Sequence, residues 1–251
     1  MSDHRPGYLP KIIAHRGASK RAPENTLAAI AEAATLGARA VEFDVTISAD
    51  GVPVLMHDET LNRCSDGQGP VILKTLAELQ ALDAGGWFDV RFAGERIPTL
   101  EQALELAADR GFSVNLELKP TLGWEAPTVS AICDTLKNVW RADMALVVSS
   151  FNPLALEQFA AEMPGVDLGY LCDAVPPDWR ARLARFGCVN LHCYAPFVTP
   201  DLVRDVRAHG ARLHVFTVND PDQAKDLFAW GVDAVFTDCP DVMLEALDDE
   251  G

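Results

Sequence analysis

A (β/α)8 barrel, the TIM-barrel class, is the fold this sequence predicts, and three observations predict it. Short β-branched runs alternate with segments of helical apolar spacing from one end of the chain to the other. Eight such strand-helix units follow one another, the number a closed barrel requires. A doubly wound open sheet would more often have fewer strands and a Gly-rich phosphate loop. With 251 residues, 49% of them hydrophobic, the chain can bury a sizeable core, and residues 1–251 read as a single domain.

The first strand, Lys11 to His15, opens the stretch "KIIAHRGASKRAPENTLAAI", which begins as a buried strand and ends as a helix. His15, Arg16 and Gly17 fall where the two meet. A strand end needs no imidazole beside a guanidinium, and both are costly to desolvate unpaired, so this corner asks for a ligand. In the helix that follows, "PENTLAAIAEAATLG", Pro23 and Glu24 suit a first turn and Gly37 a C-terminal stop. The second strand spans Ala40 to Ile47. After an irregular stretch comes the helix "TLEQALELAADRG", then a third strand, Ser113 to Lys119, and a fourth, Ala145 to Ser150. "NPLALEQFAAEMPG" reads as the helix after the fourth. Strands five and six are Asp167 to Cys172 and Cys188 to Cys193, with "TPDLVRDVRAHG" following the sixth. Arg212 to Val218, "DPDQAKDLFAWG" and Ala234 to Thr237 complete the set.

The irregular stretch, residues 49–98, sits between the second strand and its helix. It holds a strand-like "VPVLMHD", a turn-rich "CSDGQGP" and an aromatic "GGWFDVRFAG". Bland loops of that length are uncommon inside compact domains, so a lid or small subdomain over the barrel mouth is expected.

A formal net charge of -16 repels nucleic acid and anionic bilayers over most of the surface, so an anionic substrate must meet a local exception to that field. The expected partner is a small soluble molecule, with no nucleic acid and no membrane insertion, bound by a monomer or homodimer. Six cysteines, at 64, 133, 172, 188, 193 and 239, show neither paired spacing nor a C-x-x-C, and read as small hydrophobes in a reducing compartment. "MSDHRPGYLPK" lacks a basic segment followed by an apolar core, and no apolar run is long enough to span a bilayer. A cytoplasmic location is expected.

In "AVEFDVTI", alternation places Val41, Phe43 and Val45 on one strand face and Glu42 and Asp44 on the other. The apolar face of a barrel strand meets the helices, so both carboxylates face the axis near the C-terminal end, where active sites of this fold gather. "SVNLELKP" repeats the arrangement, with Asn115, Glu117 and Lys119 facing inward. Three converging carboxylates need a cation or a shared proton, and hard oxygen donors without thiolates suit Mg²⁺ or Ca²⁺ better than zinc. A buried ion-pair network with Arg16 or Lys119 would show the same pattern. His15 and His57 end two strand-like segments beside these acids, and imidazole titrates where a general acid or base must. Arg16 and Lys119 supply the positive field a phosphoryl group would need.

At these positions the chain resembles the glycerophosphodiester phosphodiesterases. "AHRGAS" with "PENT", "VEFDV" followed by "VPVLMHDETLNR", "AGERIPTLEQAL", "NLELK", "SSFNPLAL", "VFTVND" and "GVDAVFTDCPD" occur in order over almost the entire chain. The resemblance implies a metal-dependent hydrolase that cleaves glycerophosphodiesters to sn-glycerol 3-phosphate and an alcohol. It further implies that Glu42, Asp44 and Glu117 hold a divalent cation, that His15 and His57 are the acid/base pair, and that Arg16 and Lys119 contact the phosphate. His192, inward-facing in "VNLHCY", is either a contact at the glycerol end or a satisfied barrel-core histidine. Phe216 stands where family members often have Trp, keeping an apolar wall for the glycerol without an indole N–H, and Cys239 stands where an aromatic is common. His209 and His214 are expected to be structural or exposed.

Three rival readings are weaker. A phosphodiesterase acting on membrane lipid would need an exposed apolar or basic docking face, which the acidic balance does not suggest. A binding protein would not require two proton-transfer groups. A zinc amidohydrolase would carry His-x-His on the first strand, where Arg16-Gly17 follows His15.

Overall fold

The computed structural model describes residues 8–248. Nine strands lie among them: β1 (Ile12–Ala14), β2 (Ala40–Ile47), β3 (Pro53–Leu55), β4 (Ser113–Leu118), β5 (Leu146–Ser150), β6 (Asp167–Cys172), β7 (Cys188–Tyr194), β8 (Arg212–Phe216) and β9 (Ala234–Thr237). All except β3 run parallel and close into a ring in the order β1-β2-β4-β5-β6-β7-β8-β9, with β9 returning to β1. Nine helices accompany them: α1 (Leu27–Thr35), α2 (Leu76–Ala81), α3 (Leu100–Asp109), α4 (Glu125–Val139), α5 (Pro153–Glu162), α6 (Trp179–Phe186), α7 (Pro200–His209), α8 (Pro221–Trp230) and α9 (Pro240–Asp248). The expected (β/α)8 barrel is present, with one strand outside the ring.

All eight residues of β2 are buried, because helices cover one face and the barrel axis the other. Val41, Phe43 and Val45 join the large apolar layer between ring and helices, to which β4 adds Val114, Leu116 and Leu118. A much smaller apolar cluster fills the interior, where Ile13, Ala40, Val147, Ala234 and Phe236 meet under Leu9. Thr99, Asn152, Thr199 and Asp220 cap their helices through side-chain oxygens, and proline at the first turn of α5, α7 and α8 occupies a position whose N–H has no helical partner.

The first helix begins later than its sequence suggests. Pro23 and Glu24 are not helical: Asn25 adopts a left-handed conformation at φ 57°, and Thr26 caps α1 by accepting from Ala29 N at 3.2 Å. The chain therefore turns before it coils, and Glu24 is freed for the site. β1 stops at Ala14 because Arg16 and Gly17, at φ 56° and 81°, turn the chain immediately beyond it. A Cβ on Gly17 would lie 2.5 Å from the backbone of Ala29, so glycine is required at that crossing.

Between β2 and α3, β3 pairs antiparallel with the end of β2, matching Val45 to Leu55 and Ile47 to Pro53. The segment also contains α2, which the reading of this stretch as strand-like and turn-rich passed over. Its sequence signal was the capping box of Thr75 and Glu78. Val54, Leu61, Val71, Leu79 and Ile97 form a core of their own here, distinct from the barrel's. All six cysteines are free and five are buried. No described helix is long and apolar enough to cross a membrane.

Because the two cores are separate, the inserted segment should lose structure without taking the barrel with it. Leu79→Ala, at a fully buried side chain, should destabilise the segment by about 2–5 kcal/mol. Hydrogen exchange should then show faster exchange in residues 53–97 and unchanged protection in β4 to β9; equal loss in both would show a single cooperative unit.

Candidate active site

The C-terminal end of the ring carries the polar residues, and the corner after β1 organises them. Arg16 holds a left-handed backbone that ordinary side chains avoid, and its surroundings over-determine it. Its N–H donates to Glu42 Oε2 at 2.8 Å, its carbonyl accepts from Asn25 N at 3.1 Å, and Nη1 donates to Glu24 Oε1 at 2.8 Å. Nε stands 3.2 Å from Asp44 Oδ2, a charge contact outside hydrogen-bond alignment. Asn25 completes the clamp, donating from Nδ2 to Asp44 Oδ2 at 2.9 Å and accepting from Asp44 N at 3.1 Å.

Glu42, Asp44 and Glu117 each offer an oxygen such that all three lie within 4.8 Å of one another. Asp44 and Glu117 are direct partners in the β2–β4 register, and Glu42 is on the same face two residues earlier. Lys119 Nζ reaches Glu117 at 3.2 Å and Asp44 at 3.9 Å. The acids respond differently. Burial, then the charges of Asp44 and Glu117, push Glu42 well above the usual carboxylate range. Glu117 is pushed up to about 7 by burial and by Asp44, against the pull of Lys119. Burial acts on Asp44 too, but Arg16, Lys119 and the Asn25 hydrogen bond outweigh it and hold the group below its ordinary value. Glu42 Oε1 is buried with no hydrogen-bond partner. Oxygen donors this close, one of them unpaired, fit a hard divalent cation.

Each histidine leans on a carboxylate. His15 Nδ1 is 2.7 Å from Asp238 Oδ1, and Asp238 accepts from Ser19 Oγ at 3.1 Å and Asn219 Nδ2 at 2.7 Å. His57 Nδ1 is 2.7 Å from Asp58 Oδ1, and Arg63 grips Asp58 through Nε at 2.8 Å and Nη2 at 2.9 Å. Arg63 also donates to both oxygens of Glu24, at 2.6 and 2.8 Å, so the inserted segment is tied to the partner of Arg16. Burial, with Arg16 and Lys119 nearby, lowers the pKa of His57 despite the opposing pull of Asp44.

His15, Arg16, Glu42, His57 and Glu117 line one cavity of about 230 Å³, and His192 and Phe216 line it as well. Asp44 contacts Arg16 without lining the cavity, and Lys119 lines an outer recess of about 580 Å³ that shares His57, Glu117 and Phe151 with the inner cavity. His192 is buried, with Nε2 3.1 Å from His214 Nδ1 and its own Nδ1 unpartnered. His214 is buried inside the barrel, while His209 packs against Trp179. Glu24, Asn25, Asp58, Arg63, Asn219 and Asp238 received no role from the sequence, although "PENT", "HDETLNR", "VFTVND" and "FTDCPD" contain them.

The model of the glycerophosphoryl diester phosphodiesterase family matches residues 15–242, which is most of the chain. The chain belongs to that family. A glycerophosphodiester phosphodiesterase of Caldanaerobacter subterraneus is 37% identical over 239 residues, covering 93% of this chain and 96% of the relative. A phosphodiesterase structure from Oleispira antarctica, in complex with the product sn-glycerol-3-phosphate, superposes with a TM-score of 0.94 at 43% identity, covering 96% of this chain and 97% of the other. A glycerophosphodiester phosphodiesterase structure from Agrobacterium tumefaciens gives a TM-score of 0.82 at 29% identity over 94% of this chain and all of its own, 100%. Family membership makes the chain a phosphoric diester hydrolase.

The raised pKa of Glu117 has a measurable consequence. Between its ordinary value of 4.5 and about 7, the folded metal-free protein keeps a proton that the unfolded chain has lost. By linkage this group lowers stability as pH rises through that window. In EDTA, Glu117→Gln should therefore gain stability relative to the native protein from pH 4.5 to 7 and level off above it, as read by urea unfolding. A pH-independent difference would show that Glu117 titrates normally.

Proposed function

We propose that this chain hydrolyses soluble glycerophosphodiesters to sn-glycerol 3-phosphate and an alcohol, in a divalent-cation-dependent reaction with His15 and His57 as the acid/base pair. The observation that carries the reading is three carboxylates clustered within 4.8 Å, of which Glu42 and Glu117 line a cavity that two carboxylate-braced imidazoles also line. Glu42, Asp44 and Glu117 would hold the cation, Mg²⁺ or Ca²⁺, which supplies charge neutralisation at the phosphate and polarises its P–O bond.

The braces set the proton chemistry. An ionised carboxylate accepts only, so Asp238 and Asp58 require a proton on Nδ1 of His15 and His57 and leave Nε2 as the exchanging atom. One Nε2 takes a proton from the nucleophile and the other gives one to the departing alkoxide. Nη1 of Arg16 donates to Glu24 and Nε faces Asp44, while the guanidinium lines the cavity, where it would address a phosphate oxygen, and Lys119 adds a second positive charge. Phe216 and His192 wall the cavity at the glycerol end. Residues 49–98 act as a subdomain at the mouth, delivering His57 and the Arg63 link. Free cysteines and the acidic surface support a cytoplasmic protein, monomeric or homodimeric, with no nucleic-acid partner.

His15→Ala and His57→Ala should each lower turnover of glycerophosphocholine by about a hundredfold or more, and EDTA should abolish it until Mg²⁺ or Ca²⁺ is restored. A near-normal rate in either variant would remove that histidine from the mechanism. Asp238→Asn and Asp58→Asn should lower kcat with little change in KM, because they disturb the tautomer and leave the phosphate contacts in place. Early products made in ¹⁸O-labelled water, with a search for a cyclic phosphate, distinguish attack by water from attack by the substrate's own 2-hydroxyl.

A further inference from the structure

We propose that Cys172 and Cys193 are a modification site, which a hydroperoxide closes into a reversible disulfide that ties the end of β6 to β7 and weakens binding in the cavity those strands wall. The thiol chemistry stands on its own, and its effect on turnover rests on the proposed function. The two residues are direct partners in the β6–β7 register, and their sulfurs are 4.0 Å apart. Both belong to the apolar layer between ring and helices, where alanine or valine would fill the space as well. Cys172 is 7% exposed and Cys193 is fully buried, so an oxidant meets Cys172 first. The hydrogen bond from Cys193 holds the pKa of Cys172 below its ordinary value against the effect of burial, and the thiolate is the form that attacks.

The reaction balances with the peroxide as oxidant. The Cys172 sulfur attacks one peroxide oxygen; an S–O bond forms, the O–O bond breaks, and the departing oxygen takes a proton. Cys193 then attacks the Cys172 sulfur; the S–S bond forms, the S–O bond breaks, and the thiol proton leaves with the hydroxide as water. Two thiols are oxidised and one hydroperoxide is reduced. Neighbouring parallel strands lie roughly 4.8 Å apart, inside the Cα separation of about 4.4–6.8 Å that a disulfide spans. Opposed side chains on such strands stand parallel, so the sulfurs bond only if the strand ends draw together, and a bond strained in this way is readily reduced. Closure also removes the hydrogen bond that Cys172 Sγ donates to the His192 carbonyl at 3.8 Å. Leu171, Asp173 and His192, each adjacent in sequence to one of the thiols, line the inner cavity. His192 has little slack elsewhere: the rings of His214 and Phe236 lie at 4.8 and 5.3 Å between centroids, and even a Cβ on Gly169 would fall 2.6 Å from Nε2. A shift of β7 therefore moves the imidazole toward the cavity.

In the test, Mg²⁺-loaded protein is treated with a small excess of hydrogen peroxide, quenched in acid, alkylated in denaturant and digested without reductant. The expected result is a peptide pair joining Cys172 to Cys193, lost on treatment with dithiothreitol and retained in Cys188→Ser, which removes the other thiol of β7. In the oxidised protein, KM for glycerophosphocholine should rise about threefold or more with kcat nearly unchanged, the pattern of weakened binding, and dithiothreitol should restore it. Cys193→Ser should keep native kinetics, form no cross-link and stop at a Cys172 sulfenic acid that dimedone captures, with no rise in KM. Cys172→Ser, at the less buried position, should also keep native kinetics and ignore peroxide, so the result does not depend on one variant folding. Both thiols still open to alkylation after peroxide, or a cross-link that leaves KM unchanged, overturns the proposal. An equal rise in KM in native protein and Cys172→Ser overturns it as well. Calorimetry with glycerol 3-phosphate reads the cavity without turnover: binding about threefold weaker in the oxidised form is expected, and equal affinities overturn the proposal. If the cross-link forms and weakens glycerol 3-phosphate binding while neither form cleaves glycerophosphocholine, the thiol pair stands and the hydrolytic reading fails.

Discussion

Asp44 and Glu117 stand opposite each other in the parallel register of β2 and β4, with Glu42 on the same inward face. Like charges placed this way repel, and burial strengthens the repulsion by removing water. The rest of the site answers that constraint. Asp44 stays ionised because Arg16, Lys119 and Asn25 converge on it, whereas Glu42 and Glu117 are driven toward their neutral forms. Two arrangements relieve the strain: protons on two of the acids, or one divalent cation among the three. The site is therefore unfavourable to leave both metal-free and deprotonated, which is the property a cation site at neutral pH requires.

Several local irregularities follow from the same demand. Arg16 can reach Asp44 while its own N–H bonds Glu42 only by leaving the strand in a left-handed turn, and Asn25 takes a second left-handed turn to hold Asp44 from the other side. Those turns delay α1 until Thr26 and place Glu24 between Arg16 and Arg63. Arg63 then fixes Asp58, and Asp58 fixes His57. One chain of ion pairs thus runs from the barrel acids into the inserted segment, so the position of His57 depends on the carboxylate cluster.

Strand count and closure were legible because eight strand-helix units follow one another in the string, and the inward carboxylates because period-two alternation survives in it. "AVEFDVTI" and "SVNLELKP" state which side chains face the axis without knowledge of any neighbour. The start of α1 was misread because local propensity favours Pro23 at a first helical turn, while the deciding contact, Asn25 with Asp44, is tertiary. The braces were missed for a related reason. Asp238 lies 223 positions from His15, and nothing between them sets the distance until the ring closes and brings β9 beside β1.

The barrel axis itself is built of polar pairs above a thin apolar floor. Asn115 Nδ2 donates to Ser149 Oγ at 3.0 Å, Asn190 Nδ2 to the Leu168 carbonyl at 3.3 Å, and His192 meets His214 at 3.1 Å. Gly169 leaves room for that imidazole, since a Cβ there would fall 2.6 Å from His192 Nε2. Buried polar pairs of this kind add little net stability, because their hydrogen bonds largely replace those lost to water. Most of the apolar burial that holds the fold is in the layer outside the ring, among residues such as Phe43, Leu116 and Leu191. Stability and chemistry therefore occupy opposite faces of the same strands. Alternation lets the outward face stay fixed by packing while the inward face carries polar groups, among them the acids on β2 and β4.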